Sequence, residues 1–134
     1  MAQQIPIVDY LVLDDPAHLE AHACSSCSAL YFDRRNACAK CGGVEFVRKT
    51  LSNDGWVRAF TIVHRAAPSV PAPYTSVVVD LDGGGAVKAN LLGVTDPAEI
   101  TPRLPVTLEV FVAGTDDDGV EAVGFGYRKR KELP

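Results

Sequence analysis

The chain has 134 residues, 47% of them hydrophobic and 22% charged, a composition that suits one globular domain or one domain with a small appendage. No apolar run is long enough to span a bilayer, and Met1 to Tyr10 has neither the basic start nor the long apolar core of a signal peptide, so a cytoplasmic protein is expected. The formal net charge of -4 counts against a protein whose main task is gripping phosphate backbones, because that affinity is largely electrostatic.

The first part, residues 1–17, alternates poorly in either period ("IPIVDYLVLDDP") and reads as an extended arm that packs on something else. "AHLEAHA" suits either a turn of helix or a first strand. Then comes "CSSCSALYFDRRNACAKCGG", which holds every cysteine of the chain as two C-x-x-C pairs, Cys24 with Cys27 and Cys38 with Cys41. Two residues between cysteines put both sulfurs on one side of a tight turn, and two such turns facing each other offer four thiolates to one ion, the arrangement zinc prefers. Gly42 and Gly43 give the second turn its backbone freedom. "ALYF" and "VEFV" read as the flanking strands of a zinc ribbon spanning residues 18–50. Four protein thiolates leave no position open for water or substrate, so the expected role of the Zn2+ is structural. Disulfides and a redox C-x-x-C are the competing readings, disfavoured by the reducing cytosol and by the doubled motif.

From Leu51 the character changes. "LSNDGWVRAFTIVHR", "YTSVVVDLD", "AVKANLLGV", "LPVTLEVFVAG" and "GVEAVGFGYRK" are five strand-like segments divided by Gly, Pro, Asp and Asn. Leu104, Val106, Leu108, Val110 and Val112 share one face, as do Val77, Val79 and Leu81. In the first segment Trp56, Phe60 and Ile62 fall on one side and Val57, Ala59 and Val63 on the other, which predicts a strand covered on both sides. Asp82–Gly85 and Thr115–Gly119 read as hairpin turns, and Asp96 to Glu99 as one helical turn stopped by Pro102. Five strands with a short helical connection between the third and fourth match a small Greek-key OB-fold barrel over residues 51–134. The fold class is therefore mostly β, an N-terminal four-cysteine ribbon followed by a five-stranded barrel with a basic tail, "RKRK" from Arg128 to Lys131. The longest irregular link, His64 to Tyr74, holds three prolines and makes a stiff apolar loop suited to contact.

No catalytic constellation is present. With the four cysteines given to metal, no thiol is left as a nucleophile, and the sequence lacks a G-x-S-x-G elbow, an H-E-x-x-H pair and a phosphate loop. His18 and His22 flank the first knuckle but the thiolates already complete the shell. His64 has no evident catalytic partner. Asp116 to Asp118 lack the spacing of a calcium loop.

Taken together these residues resemble a known family, a rubredoxin-like zinc ribbon fused to an OB-fold, catalogued as a domain of unknown function and found beside thiolase-like enzymes. The carriers are "HLEAHACSSC", "CAKCGG", "GWVRAFTIVHR", "PAPYTSVVVDLDGG" and "VKANLLGV", in that order. The resemblance implies an accessory subunit with no catalysis of its own. A thiolase-like partner would carry the residues for Claisen or aldol chemistry on acyl-CoA, and this chain would bind it, stabilise it and help shape a channel for the CoA thioester. Phe60, His64, Val70 and Tyr74, in and beside the proline loop, are the expected partner-binding residues, with the loop and the ribbon forming one surface. A single-stranded nucleic-acid-binding OB protein is the alternative, with Trp56, Phe60, Tyr74, Phe111, Phe125 and Tyr127 as stacking candidates. The negative charge weighs against it.

Overall fold

A computed structural model describes residues 3–130 of the chain. They form ten strands: β1 (Gln4–Pro6), β2 (Leu11–Val12), β3 (His18–Cys24), β4 (Leu30–Tyr31), β5 (Phe46–Thr50), β6 (Asp54–Val63), β7 (Tyr74–Leu81), β8 (Ala86–Leu92), β9 (Pro105–Thr115) and β10 (Glu121–Lys129), with a short 3-10 helix at Pro97–Glu99. The ambiguous "HLEAHAC" is a strand. Alternation decides it: Leu19, Ala21 and Ala23 are buried while His18, Glu20 and His22 between them are half-buried.

β6 to β10 make the barrel. β6, β7 and β8 run antiparallel in sequence order, β8 pairs parallel with β10 at Leu91–Tyr127, β10 pairs antiparallel with β9, and β9 returns to β6 through Asp54–Trp56 and Pro105–Thr107. This is the OB order, closed on itself. The connection from β8 to β9 plugs one end: Asp96 caps the 3-10 helix by accepting the Ala98 N–H at 2.9 Å, and Val94, Ile100 and Leu104 turn into the core. The buried Thr75 hydroxyl donates to the Val94 carbonyl at 2.6 Å and ties the plug to β7.

Two expectations about faces are corrected here. In β6, Val57 pairs with Val79 but Ala59 pairs with Val78, so Arg58 is an extra residue in a bulge. The bulge shifts the parity by one. Phe60 and Ile62 therefore lie across from Val77 and Thr75, on the same side as Val57, and the strand is not covered on both sides: Ala59, Phe60 and Thr61 are exposed. In β9 the apolar face predicted from Leu104 to Val112 is buried only through Val106 and partly at Leu108, because the strand runs on past the start of β6. Val110 and Val112 are exposed.

β2, β3, β4 and β5 form the second sheet. It is not separate from the barrel core. Leu11, Leu19, Ala21 and Leu51 belong to the same buried cluster as Val57, Val79, Leu81 and Val106, and Leu30 and Leu51 press on the turn after β7 at Gly84 and Gly85. The arm joins as well, with β1 adding in parallel to Glu121–Val123 of β10 and Tyr10 packing between Phe32 and Phe125.

Candidate metal centre

The four sulfurs of Cys24, Cys27, Cys38 and Cys41 lie within 4.8 Å of one another. The pairs Cys24–Cys41 and Cys27–Cys38 are each 3.5 Å apart. A tetrathiolate ion with bonds of about 2.3 Å has sulfur–sulfur edges of about 3.8 Å, so the cluster is close to the size one tetrahedral ion requires. Two knuckles of similar build bring the thiols together. Each C-x-x-C is followed directly by a left-handed residue, Ser28 at φ 67 and Gly42 at φ 78, and each closes with an N–H bond back to the first cysteine's carbonyl, Ser28 to Cys24 at 2.9 Å and Gly42 to Cys38 at 2.8 Å. Gly43 must stay small, since a Cβ there would stand 3.3 Å from the sulfurs of both Cys24 and Cys41.

The surroundings favour negative sulfur. The Lys40 N–H points to Cys38 Sγ and the Gly43 N–H to Cys41 Sγ, each at 3.4 Å. Backbone N–H groups of Cys27 and Ser26 lower the Cys24 thiol. Cys38 is drawn down to about 6, first by the Tyr31 hydroxyl 3.5 Å from its sulfur and then, against burial, by backbone N–H groups. Cys41 moves the other way, to about 12: the Gly43 N–H works to lower it, but its thiol neighbours Cys24, Cys27 and Cys38 and burial outweigh that bond. Without a cation the four thiols cannot all ionise in so small a space. A divalent ion removes that conflict.

Tyr31 is the site residue that sequence reasoning missed. Its hydroxyl accepts the Ala39 N–H at 3.1 Å, so one ring joins the first strand of the hairpin to the second knuckle, held by edge contact with Phe46 and by Arg35 stacked at 4.5 Å. Period-2 alternation in "ALYF" was the available signal. It sends Tyr31 and Phe32 to opposite faces, one to the sulfurs and one to Tyr10.

The other predicted residues are dispersed. His18 lies near the Pro16 carbonyl and Glu20, and His22 lines an open cleft with Tyr10, Phe32 and Arg48; neither belongs to the sulfur cluster. Phe60 and Val70 are exposed, His64 is exposed at the end of β6, and Tyr74 is half-buried at the start of β7. They do share one end of the barrel. The ribbon does not: Lys49 reaches the Gly83 carbonyl at the far end of β7, 3.3 Å away. Seven residues of strand, roughly 23 Å, separate that turn from Tyr74, so the loop and the ribbon do not form one surface.

The basic run is also different from a free tail. Arg128 and Lys129 end β10, Arg128 is bound by Glu109, and Arg130 pairs with Asp54 at 3.1 Å; Lys131 lies outside the described residues. Arg58 is likewise held by Asp80, through Nε at 2.9 Å among other contacts. Of the stacking candidates, Tyr127 is 0% exposed and Trp56 is covered by Arg103 at 4.3 Å. No helix among the described residues is long and apolar enough to cross a membrane.

Residues 48–111 match the family described as ChsH2, C-terminal OB-fold domain. The matched stretch runs from β5 into β9 and supports an OB-fold domain there. Among solved structures the chain is similar to one titled "Ltp2-ChsH2(DUF35) aldolase", with a TM-score of 0.65 and 25% sequence identity over 84% of this chain and 84% of that chain. Comparison with curated proteins gives no match.

Proposed function

We propose that this chain is a non-catalytic, cytoplasmic accessory subunit that binds and stabilises a thiolase-like enzyme of acyl-CoA carbon–carbon chemistry and helps shape its CoA and acyl channel. The observation that carries the reading is the likeness to the Ltp2-ChsH2(DUF35) aldolase over 84% of this chain, supported by the ChsH2 match of residues 48–111. Its parts are the arm (1–17), the ribbon (18–50) and the barrel (51–134). Cys24, Cys27, Cys38 and Cys41 would hold one Zn2+, which supplies cross-linking of the two knuckles and no reaction step. Phe60, His64, Val70 and Tyr74 would contact the partner at the proline-loop end of the barrel.

The test is co-expression with an Ltp2-type thiolase-like protein, followed by light scattering on the purified material and elemental analysis. The expected result is a hetero-oligomer with one zinc per copy of this chain. Two separately eluting proteins would overturn the reading.

A further inference from the structure

The β9–β10 hairpin projects beyond the barrel as a tongue. Its edges differ. On the β10 side β1 pairs with Glu121–Val123, and the Ile7 N–H donates to the Val123 carbonyl at 2.9 Å. On the β9 side the last barrel contact is the Leu108 N–H on the Asn53 carbonyl at 2.8 Å, and among the described residues nothing pairs with that edge from Glu109 to Thr115. The sequence there is "EVFVAGT". It holds no Lys, Arg or Pro, the residues with which proteins commonly protect such an edge. Val110, Phe111 and Val112 are 38%, 41% and 47% exposed. Phe111 lies over Gly124 beside Ile7 and, with Val110, Val112 and Val123, lines a groove of about 200 Å³ closed by Leu13 and Ala17 of the arm and, among polar residues, by Gln4 and Asp14. A bulge at Ala113, where Gly114 pairs with Ala122 but Val112 with Val123, leaves Glu109–Val112 as the regular stretch.

Unpaired backbone beside a mostly apolar groove is what an added strand requires: main-chain bonds give affinity and alternate side chains enter the groove. Charge selects the kind of strand. The tongue ends in Asp116, Asp117 and Asp118. Asp116 is occupied by its own turn, accepting the N–H groups of Asp118 and Val120, each at 2.9 Å, while Asp117 and Asp118 are exposed. A second copy of this chain brings the same net charge of -4, whose repulsion disfavours self-pairing, and in antiparallel pairing its acidic turn gives Asp117 and Asp118 no basic partner from the facing tongue. We infer that the open edge of β9 takes an extended strand of the thiolase-like subunit, apolar at alternate positions and carrying Lys or Arg where it passes Asp117 and Asp118. This rests on the accessory-subunit reading and adds a docking site distinct from the proline loop.

The experiment uses the full chain and the Ltp2-type subunit. Val110→Lys with Val112→Lys should weaken binding at least about 100-fold with metal content unchanged, and Asp117→Asn with Asp118→Asn should slow association roughly tenfold and flatten its salt dependence. In the wild-type complex the amides of Val110 and Val112, which face the open edge as that of Leu108 faces Asn53, should gain protection from hydrogen exchange, a result that does not depend on how the lysine variant folds. A complex in which those amides stay unprotected and the substitutions change nothing overturns the inference alone. So does a homodimer of this chain that the lysines dissolve. Absence of any complex with the wild-type chain removes the accessory-subunit reading and this site together.

Discussion

Ser28 holds a backbone angle that glycine adopts freely and L-residues adopt at a cost of roughly 1–2 kcal/mol. The equivalent place in the second knuckle is Gly42. Ser28→Gly should therefore stabilise the metal-loaded protein by about 0.5–1 kcal/mol, the gain being reduced by the greater freedom glycine gives the unfolded chain; denaturant titration measures it. Tyr31→Phe removes the hydroxyl that meets both Cys38 Sγ and the Ala39 N–H. Loss of such a supporting contact typically costs about 10- to 100-fold in metal affinity, and competition with a chromogenic chelator should show a fall of that order. Tyr127 is a different case. Its hydroxyl is buried with no hydrogen-bond partner, and burial, assisted by Tyr10, raises its pKa above the ordinary value of about 10. The folded state disfavours the phenolate, so this contribution to stability is full below about pH 10 and is lost as pH rises from there toward the folded value. Tyr127→Phe should leave neutral-pH stability equal or raise it by up to ~1 kcal/mol. It should also flatten the loss of stability in alkali, read from melting temperatures between pH 8 and 11.

At the scale of elements, the ribbon and the arm share the barrel's core rather than hanging from it. Leu11 of β2 and Leu19 of β3 are nearly fully buried and pack with Leu51, Val79 and Leu81. Leu11→Ala should cost about 2–5 kcal/mol in the stability of the whole domain, and calorimetry should show one unfolding transition in the variant as in the parent. Two separate transitions would contradict the shared core. The barrel strands were legible in the sequence because Val77, Val79 and Leu81 alternate without interruption and Gly or Pro marks each connection from β6 to β10. The faces of β6 and β9 were not, since a single extra residue at Arg58 inverts the alternation and nothing in "WVRAFTIV" marks where it falls. The four ligands were legible because their spacing is itself the chemistry. Tyr31 was harder, because its role depends on which way a two-residue strand faces. The separation of proline loop from ribbon follows from register, which hydrophobic pattern alone does not show.

For the whole molecule, three of the barrel's arginines are occupied by carboxylates, Arg58 by Asp80 and Arg128 and Arg130 by Glu109 and Asp54, while Lys88 and Arg65 are exposed. Exposed apolar side chains of the barrel gather at two ends, the proline loop with Phe60 and Val70, and the tongue with Val110, Phe111 and Val112. Such patches suit protein contact better than phosphate contact. The central claim is that this chain acts only through a partner. The most direct test is to assay aldol cleavage and thiolysis of acyl-CoA substrates with the purified chain, with the Ltp2-type subunit, and with both together. The account predicts negligible turnover by this chain alone and a rate with both present at least roughly tenfold above that of the partner alone. Turnover by the isolated chain at rates typical of enzymes, on the order of 1 per second or more, or a partner whose rate is the same with and without it, would contradict the account.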